Sequence, residues 1–91
     1  MKESDIRSLK QLQTIPGVGK SIAHDLLALG VRSISHLKGK NPQRLYERRC
    51  EQQGTRIDPC PLYVFRCAVY FAETKRPIPE LLKWWNWKDR A

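Results

Sequence analysis

The hydrophobic positions of this chain recur with a helical period along most of its length. In the first segment Ile6, Leu9 and Leu12 fall three residues apart, the spacing that lines one face of an amphipathic helix, and Ser4 or Asp5 stands where an N-cap belongs. That helix must stop before Pro16, because the residue preceding a proline is pushed out of the helical region. Pro16-Gly17-Val18-Gly19 is a tight turn by composition. A second helix follows, with Ile22, Leu26 and Leu29 on one stripe and Ala23 and Leu27 beside it, and Gly30 sits at the position of a left-handed C-terminal cap. Ser33 caps a short helix that runs through Leu37 and ends at Gly39. Asn41-Pro42, an N-cap followed by proline at the first helical position, is a strong start signal. Leu45, Tyr46, Arg49 and Cys50 then mark the inner face of a third long helix, which Gly54 ends. Asp58-Pro59 repeats the start signal. Between Leu62 and Ala72 the one charged residue is Arg66, so this fourth long helix is apolar nearly all round and should be central. Pro77 and Pro79 punctuate the chain again before a last short helix, residues 79–89, carrying Trp84, Trp85 and Trp87.

No stretch makes a convincing strand; Val31-Arg32-Ser33-Ile34 lies between helix caps and reads as a connection. The pattern predicts an all-α domain of five to six helices joined by short loops. At 91 residues the chain is one domain, with a modest core and no room for a large internal cavity. Hydrophobic residues at 41% and charged residues at 29% argue against disorder. No apolar run approaches the roughly 20 residues that span a bilayer, and Met1-Lys2-Glu3-Ser4-Asp5 leads into no secretory segment. Three cysteines are too few, and odd in number, for a disulfide scaffold. The expectation is a reduced, cytoplasmic domain with no membrane partner.

Charge sharpens the picture. The net charge is +8, which favours a polyanionic partner without identifying one. Residues 1–30 carry a net +1, residues 31–58 a net +4 and residues 59–91 a net +3. Lys38, Lys40, Arg44, Arg48 and Arg56 of the middle third are the candidates for supporting contacts to such a partner.

The segment that carries chemistry is the glycine turn between the first two helices. The amides of Gly19, Lys20 and Ser21 lie at the start of the second helix, where unsatisfied N–H groups and the positive end of the helix dipole make an anion site. Lys20 adds a mobile cation and Ser21 a hydroxyl. Val18 is suited to insert between the two helices, and Ala23 is small enough to let them approach. Gly19-Lys20-Ser21 matches the end of a P-loop, but the required glycine at position 14 is Thr14 and no strand precedes the turn. Gly17 and Gly19 begin a dinucleotide fingerprint that fails at Ile22 and again lacks its strand.

Leu12, Ile15, Pro16, Gly17, Val18, Gly19, Ala23, Leu26 and Gly30 together resemble the helix-hairpin-helix motif of DNA-binding and DNA-repair proteins. The resemblance implies that Gly17, Val18, Gly19, Lys20 and Ser21 contact DNA phosphates without reading base sequence, sometimes with a monovalent cation between; no other cofactor is implied. The run from Asp58 to Ala72 and the ending Leu82-Lys83-Trp84-Trp85-Asn86-Trp87-Lys88-Asp89 resemble the small bacterial pathogenicity-locus family of helix-hairpin-helix proteins. Its members are also labelled as mitomycin-resistance proteins and look similar to the C-terminal domain of the TfoX competence regulators. This resemblance covers essentially the whole chain, and adds a fold and a DNA association but no reaction. It implies a single tandem helix-hairpin-helix domain over residues 1–91: a hairpin motif at 5–30, a second half at 33–73 and the Trp-rich helix at 79–89. A second hairpin would fall between residues 53 and 59, where Gln53-Gly54-Thr55-Arg56-Ile57-Asp58-Pro59 has one glycine and an acidic residue. As a phosphate cradle it is degenerate.

The other reactive residues point elsewhere. Cys60 and Cys67 are seven apart on the apolar helix and share a face, which reads as two core thiols. His24, His36, Cys50, Cys60 and Cys67 show no zinc-finger spacing, so no metal site is expected. No carboxylate pair or nucleophile–base constellation is visible, so neither an enzyme nor a small-molecule substrate is expected. Trp84 and Trp85 follow Leu81 at three and four residues, the spacing of a helix packing on the core. Trp87, on another face, would be exposed to stack on a base or anchor a protein partner. The sequence therefore predicts a non-catalytic, sequence-independent DNA-binding module serving DNA repair, recombination or uptake. The alternative is a protein-interaction module, a homodimer or an adaptor, using the same scaffold and the Trp-rich C-terminus.

Overall fold

The computed structural model describes residues 2–88; residue 89, the end of the expected C-terminal helix, lies outside them. Four α-helices make the body: α1 (Glu3–Leu12), α2 (Lys20–Ala28), α3 (Pro42–Gln53) and α4 (Cys60–Glu73). Three single turns of 3-10 helix, Ser35–Leu37, Pro79–Leu82 and Trp84–Trp87, complete the regular structure, and no strand occurs among the described residues. The all-α expectation holds, with a correction at the end of the chain: in place of one C-terminal helix there are two 3-10 turns that meet at Lys83.

Local chemistry explains the boundaries. Asn41 caps α3, its Oδ1 accepting the amides of Gln43 at 2.9 Å and Arg44 at 3.4 Å, with Pro42 at the first helical position. The end of α2 is closed by Gly30 at φ +85°, with the Val31 amide bonded back to the Leu26 carbonyl at 2.9 Å and the Gly30 amide to that of Leu27 at 3.0 Å. Those paired reverse bonds satisfy carbonyls that the helix leaves open, in a conformation that costs glycine nothing.

Helix α1 packs on α2 and α3 on α4, and α4 also carries all three 3-10 turns. That central position follows from its apolar surface: Phe65, Cys67 and Ala68 are completely buried, and Leu62, Val64 and Val69 nearly so. Polar ties fasten α1 to the connection that follows α2, and α2 to α3. Arg32, after α2, bonds to Asp5 of α1 at 2.5 Å and, chiefly through that hydrogen bond, holds the Asp5 carboxyl below its ordinary value. Gln11 accepts the Ile34 amide at 2.8 Å, and Arg49 of α3 reaches Asp25 of α2 at 2.8 Å.

Candidate functional site

The turn between α1 and α2 is anchored from below and open above. Ile15 and Val18 are buried, and the Val18 amide donates to the Ile15 carbonyl at 3.0 Å. Beneath them the Cys67 sulfur of α4 sits between the carbonyls of Pro16, at 3.9 Å, and Leu81, at 3.6 Å. Burial pushes this thiol up to about 11, so at neutral pH it carries its proton and can act as the donor. Gly17 adopts φ +85°, and a Cβ built there would lie 3.2 Å from Cδ1 of Trp84. The turn thus rests on α4, and the C-terminal 3-10 turn presses on its flank.

Gly19 differs from Gly17. It is the N-cap residue of α2, with φ −91° and ψ −171° and no side-chain cap, and its missing Cβ faces open space. Its carbonyl accepts the Ala23 amide at 3.0 Å. Among the described residues, none of the amides of Gly19, Lys20, Ser21 and Ile22 has an acceptor. The first turn of α2 has no acidic residue, and Asp25, further along, is neutralised by Arg49 in a largely buried pair. A cluster of outward N–H groups at the positive end of a helix, with a lysine and a hydroxyl beside it, can hold an oxyanion. The Ile15 and Pro16 carbonyls already accept donors, which leaves those of Gly17 and Val18 as the turn's uncommitted oxygens among the described residues. A monovalent cation shared with a phosphate would need such oxygens.

Of the five residues singled out in this turn, Gly17, Gly19, Lys20 and Ser21 are exposed. Val18 is buried, so it can offer a ligand only backbone. The five supporting basic residues lie around the Ser35–Leu37 turn, on α3 and on the loop that follows α3. Lys38 and Lys40 are exposed around the Ser35–Leu37 turn. Arg44 and Arg48 share a shallow depression of about 210 Å³ on α3 with Glu47 and Glu51, a face of mixed charge. Arg56 lines an adjoining hollow of about 370 Å³ with Tyr46, Cys50 and Gly54, and the same Glu47 and Glu51 border both.

The connection between α3 and α4, by contrast, is occupied by its own chain. Asp58 accepts the Cys60 amide at the start of α4 at 2.8 Å, and that bond holds its carboxyl below the ordinary value. Tyr46 ties down the same loop by donating to the Ile57 carbonyl at 2.6 Å. A carboxylate at the helix N-terminus occupies the position an external anion would take. Cys60 itself is exposed, correcting the pairing of Cys60 and Cys67 as core thiols: the two share a helix face, but Cys60 is the first residue of α4 and lies beyond the packed body.

The tryptophans also change places. Trp87 is half-buried, its ring 5.5 Å from that of Tyr70 and its indole N–H donating to the Leu81 carbonyl at 2.8 Å. Its own carbonyl accepts from Arg66 at 2.7 Å. Trp84 packs against the core, whereas Trp85 is 52% exposed. The exposed indole is therefore Trp85, and neither Trp87 as the outward ring nor Trp85 as a core residue survives. Among the described residues no three His, Cys, Asp or Glu side chains converge as a metal site would require, and no helix is long and apolar enough to cross a membrane.

The architecture is that of a small all-α domain whose distinguishing feature is an uncapped glycine turn held between α4 and a tryptophan-rich C-terminal segment. The family model described as "Pathogenicity locus" matches residues 5–91, and the chain belongs to that family. It is 36% identical over 76 residues to the "Mitomycin resistance protein McrB" of Streptomyces lavendulae, an alignment covering 84% of this chain and 69% of that protein. No solved structure matches the chain.

Proposed function

We propose that this protein binds DNA through backbone phosphates, without sequence preference, at the Gly17-Val18-Gly19-Lys20-Ser21 turn, which functions as a helix-hairpin-helix element. The observation that carries the reading is the set of unsatisfied amides from Gly19 to Ile22 on a helix with no acidic residue in its first turn. Solvated N–H groups at a helix end are ordinary; here an anion can reach them because Gly19 offers no side chain and Lys20 and Ser21 stand exposed beside them. The contact is to phosphate, which fixes position on DNA and carries no sequence information. The net charge of +8 supplies the long-range attraction. The reading involves no catalytic step, and a role in repair, recombination or uptake of DNA is the setting that suits a backbone binder.

A salt-titrated binding assay tests it. If about four phosphates are neutralised, log K on duplex DNA falls with log salt at a slope near −3.6. Lys20→Glu weakens binding to all sequences alike. Affinity indifferent to salt between about 50 and 200 mM, or a loss confined to particular sequences, overturns the reading.

A further inference from the structure

We infer that Trp85 is a base-stacking residue that directs the glycine turn to DNA containing unpaired nucleotides, such as gaps, flaps and single-stranded ends. The inference rests on the phosphate-binding reading of the turn and adds to it the structure of the DNA bound.

Tryptophan is on average among the highly buried residues, yet Trp85 is 52% exposed on a segment that is otherwise fastened down. Trp87 is held by Tyr70, Leu81 and Arg66, Asn86 donates to the Glu80 carbonyl at 2.7 Å, and Trp84 packs on the core. Trp85 meets Trp84 edge to face, with ring centroids 5.8 Å apart and planes at 85°. The ring is thus supported by one neighbour while about half of the residue remains open, so stacking a base on it orders little that is mobile. Trp84 also lies against Gly17, where an added Cβ would meet its ring at 3.2 Å, so the open indole neighbours the residue that packs against the glycine turn. One bound DNA would then give a phosphate to Gly19–Ser21 and an unpaired base to Trp85. Every base has an aromatic face, so such stacking is indifferent to sequence. In an intact duplex both faces of each internal base are covered, and the ring has nothing to stack on except at unpaired positions.

The test compares an intact duplex with the same duplex carrying a short single-stranded gap, each titrated with the full chain by fluorescence anisotropy. The wild type favours the gapped DNA. Trp85→Ala lowers its affinity for gapped DNA by about tenfold and leaves the intact duplex within about twofold. Trp85→Phe keeps most of the preference, and Lys20→Glu weakens both DNAs together. A measurement on the unsubstituted protein accompanies these: acrylamide quenches the exposed indole, and gapped DNA, but not intact duplex, shields it. Equal losses on both DNAs from Trp85→Ala, no loss on either, or no shielding overturns the inference while leaving the phosphate reading standing if Lys20→Glu still weakens both. Failure of the wild type to bind either DNA overturns both. A Trp85→Ala variant that dissociates a dimer while retaining the gap preference assigns the ring to a protein contact and overturns the inference.

Discussion

At Gly19 the backbone angles, φ −91° and ψ −171°, are ones that serine or aspartate adopts readily at an N-cap, and an added Cβ would meet nothing within 4 Å. Glycine is a poorer cap than either, by a few tenths of a kcal/mol, because it offers no side-chain acceptor. Its presence therefore forgoes a little stability and leaves the α2 amides uncovered. Gly17 is the opposite case, since its φ of +85° and the Trp84 ring at 3.2 Å penalise any side chain. The two glycines look equivalent in the sequence, and only the structure separates the one that builds the turn from the one that leaves it open. Gly19→Asp should raise the melting temperature by about 1–3 °C, as its carboxylate caps the amides just as Asp58 caps α4. By the same act it should abolish measurable duplex binding at about 150 mM salt, where a like charge faces each phosphate. Thermal unfolding and binding measured on the same preparation check this, and a stabilised variant that binds normally would place the phosphate elsewhere.

Among the elements, local signals were mostly legible, though α1 starts after Lys2 and takes the expected caps Ser4 and Asp5 into its first turn; features set by tertiary context were not. The caps at Asn41 and Gly30 could be read because each is specified within a few residues. The arrangement of the tryptophans could not, because reading Leu81, Trp84 and Trp85 as one stripe assumes 3.6 residues per turn. After Pro77 and Pro79 the chain forms 3-10 turns, with 3.0 residues per turn, so residues three apart eclipse. Trp84 and Trp87 then both face the body, and Trp85 turns outward. A similar lesson applies to Cys60, where periodicity gave the face but not the depth along α4. The segment is a clasp: it holds the glycine turn through Trp84 and is itself held on α4 by the bond from Arg66 to the Trp87 carbonyl. Trp84→Ala should cost about 2–3 kcal/mol, less than a fully buried tryptophan because the residue is only partly buried, seen as a lowered midpoint in urea. Trp85→Ala should stay within about 0.5 kcal/mol of wild type. Equal effects from the two substitutions would contradict the clasp.

For the whole molecule, counting charge by thirds of the chain misplaces it. Residues 1–30 carry a net +1 in sequence, yet the fold supplies Arg32 to Asp5 and Arg49 to Asp25, while Glu3 is answered by Arg7 within α1. The three acidic residues of this segment are thus each paired with an arginine, two of them from beyond it, and among the described residues Lys20 has no ion-pair partner. Meanwhile part of the middle third's excess, at Arg44 and Arg48, is interleaved with Glu47 and Glu51. Arg49 is the informative residue, since the sequence places it on the inner face of its helix without showing a partner, whereas the structure makes it the counter-charge of Asp25 on α2. Arg49→Met keeps much of the packing volume and leaves the Asp25 carboxylate largely buried without its partner, which should cost about 1–3 kcal/mol in unfolding. It also restores a negative charge about 7–8 Å along the helix axis from Lys20, within the roughly 10 Å over which charges act at 0.1 M salt. Duplex affinity should therefore drop a few-fold near 50 mM salt, and the deficit should narrow as salt rises and the screening length shortens. Adding Asp25→Asn should recover most of the binding, because the offending charge is gone, without restoring all of the stability. If Arg49→Met were destabilised yet bound DNA as wild type does at every salt concentration, the pair would be structural only, and the field at the turn would have to come from Lys20 and the helix end alone.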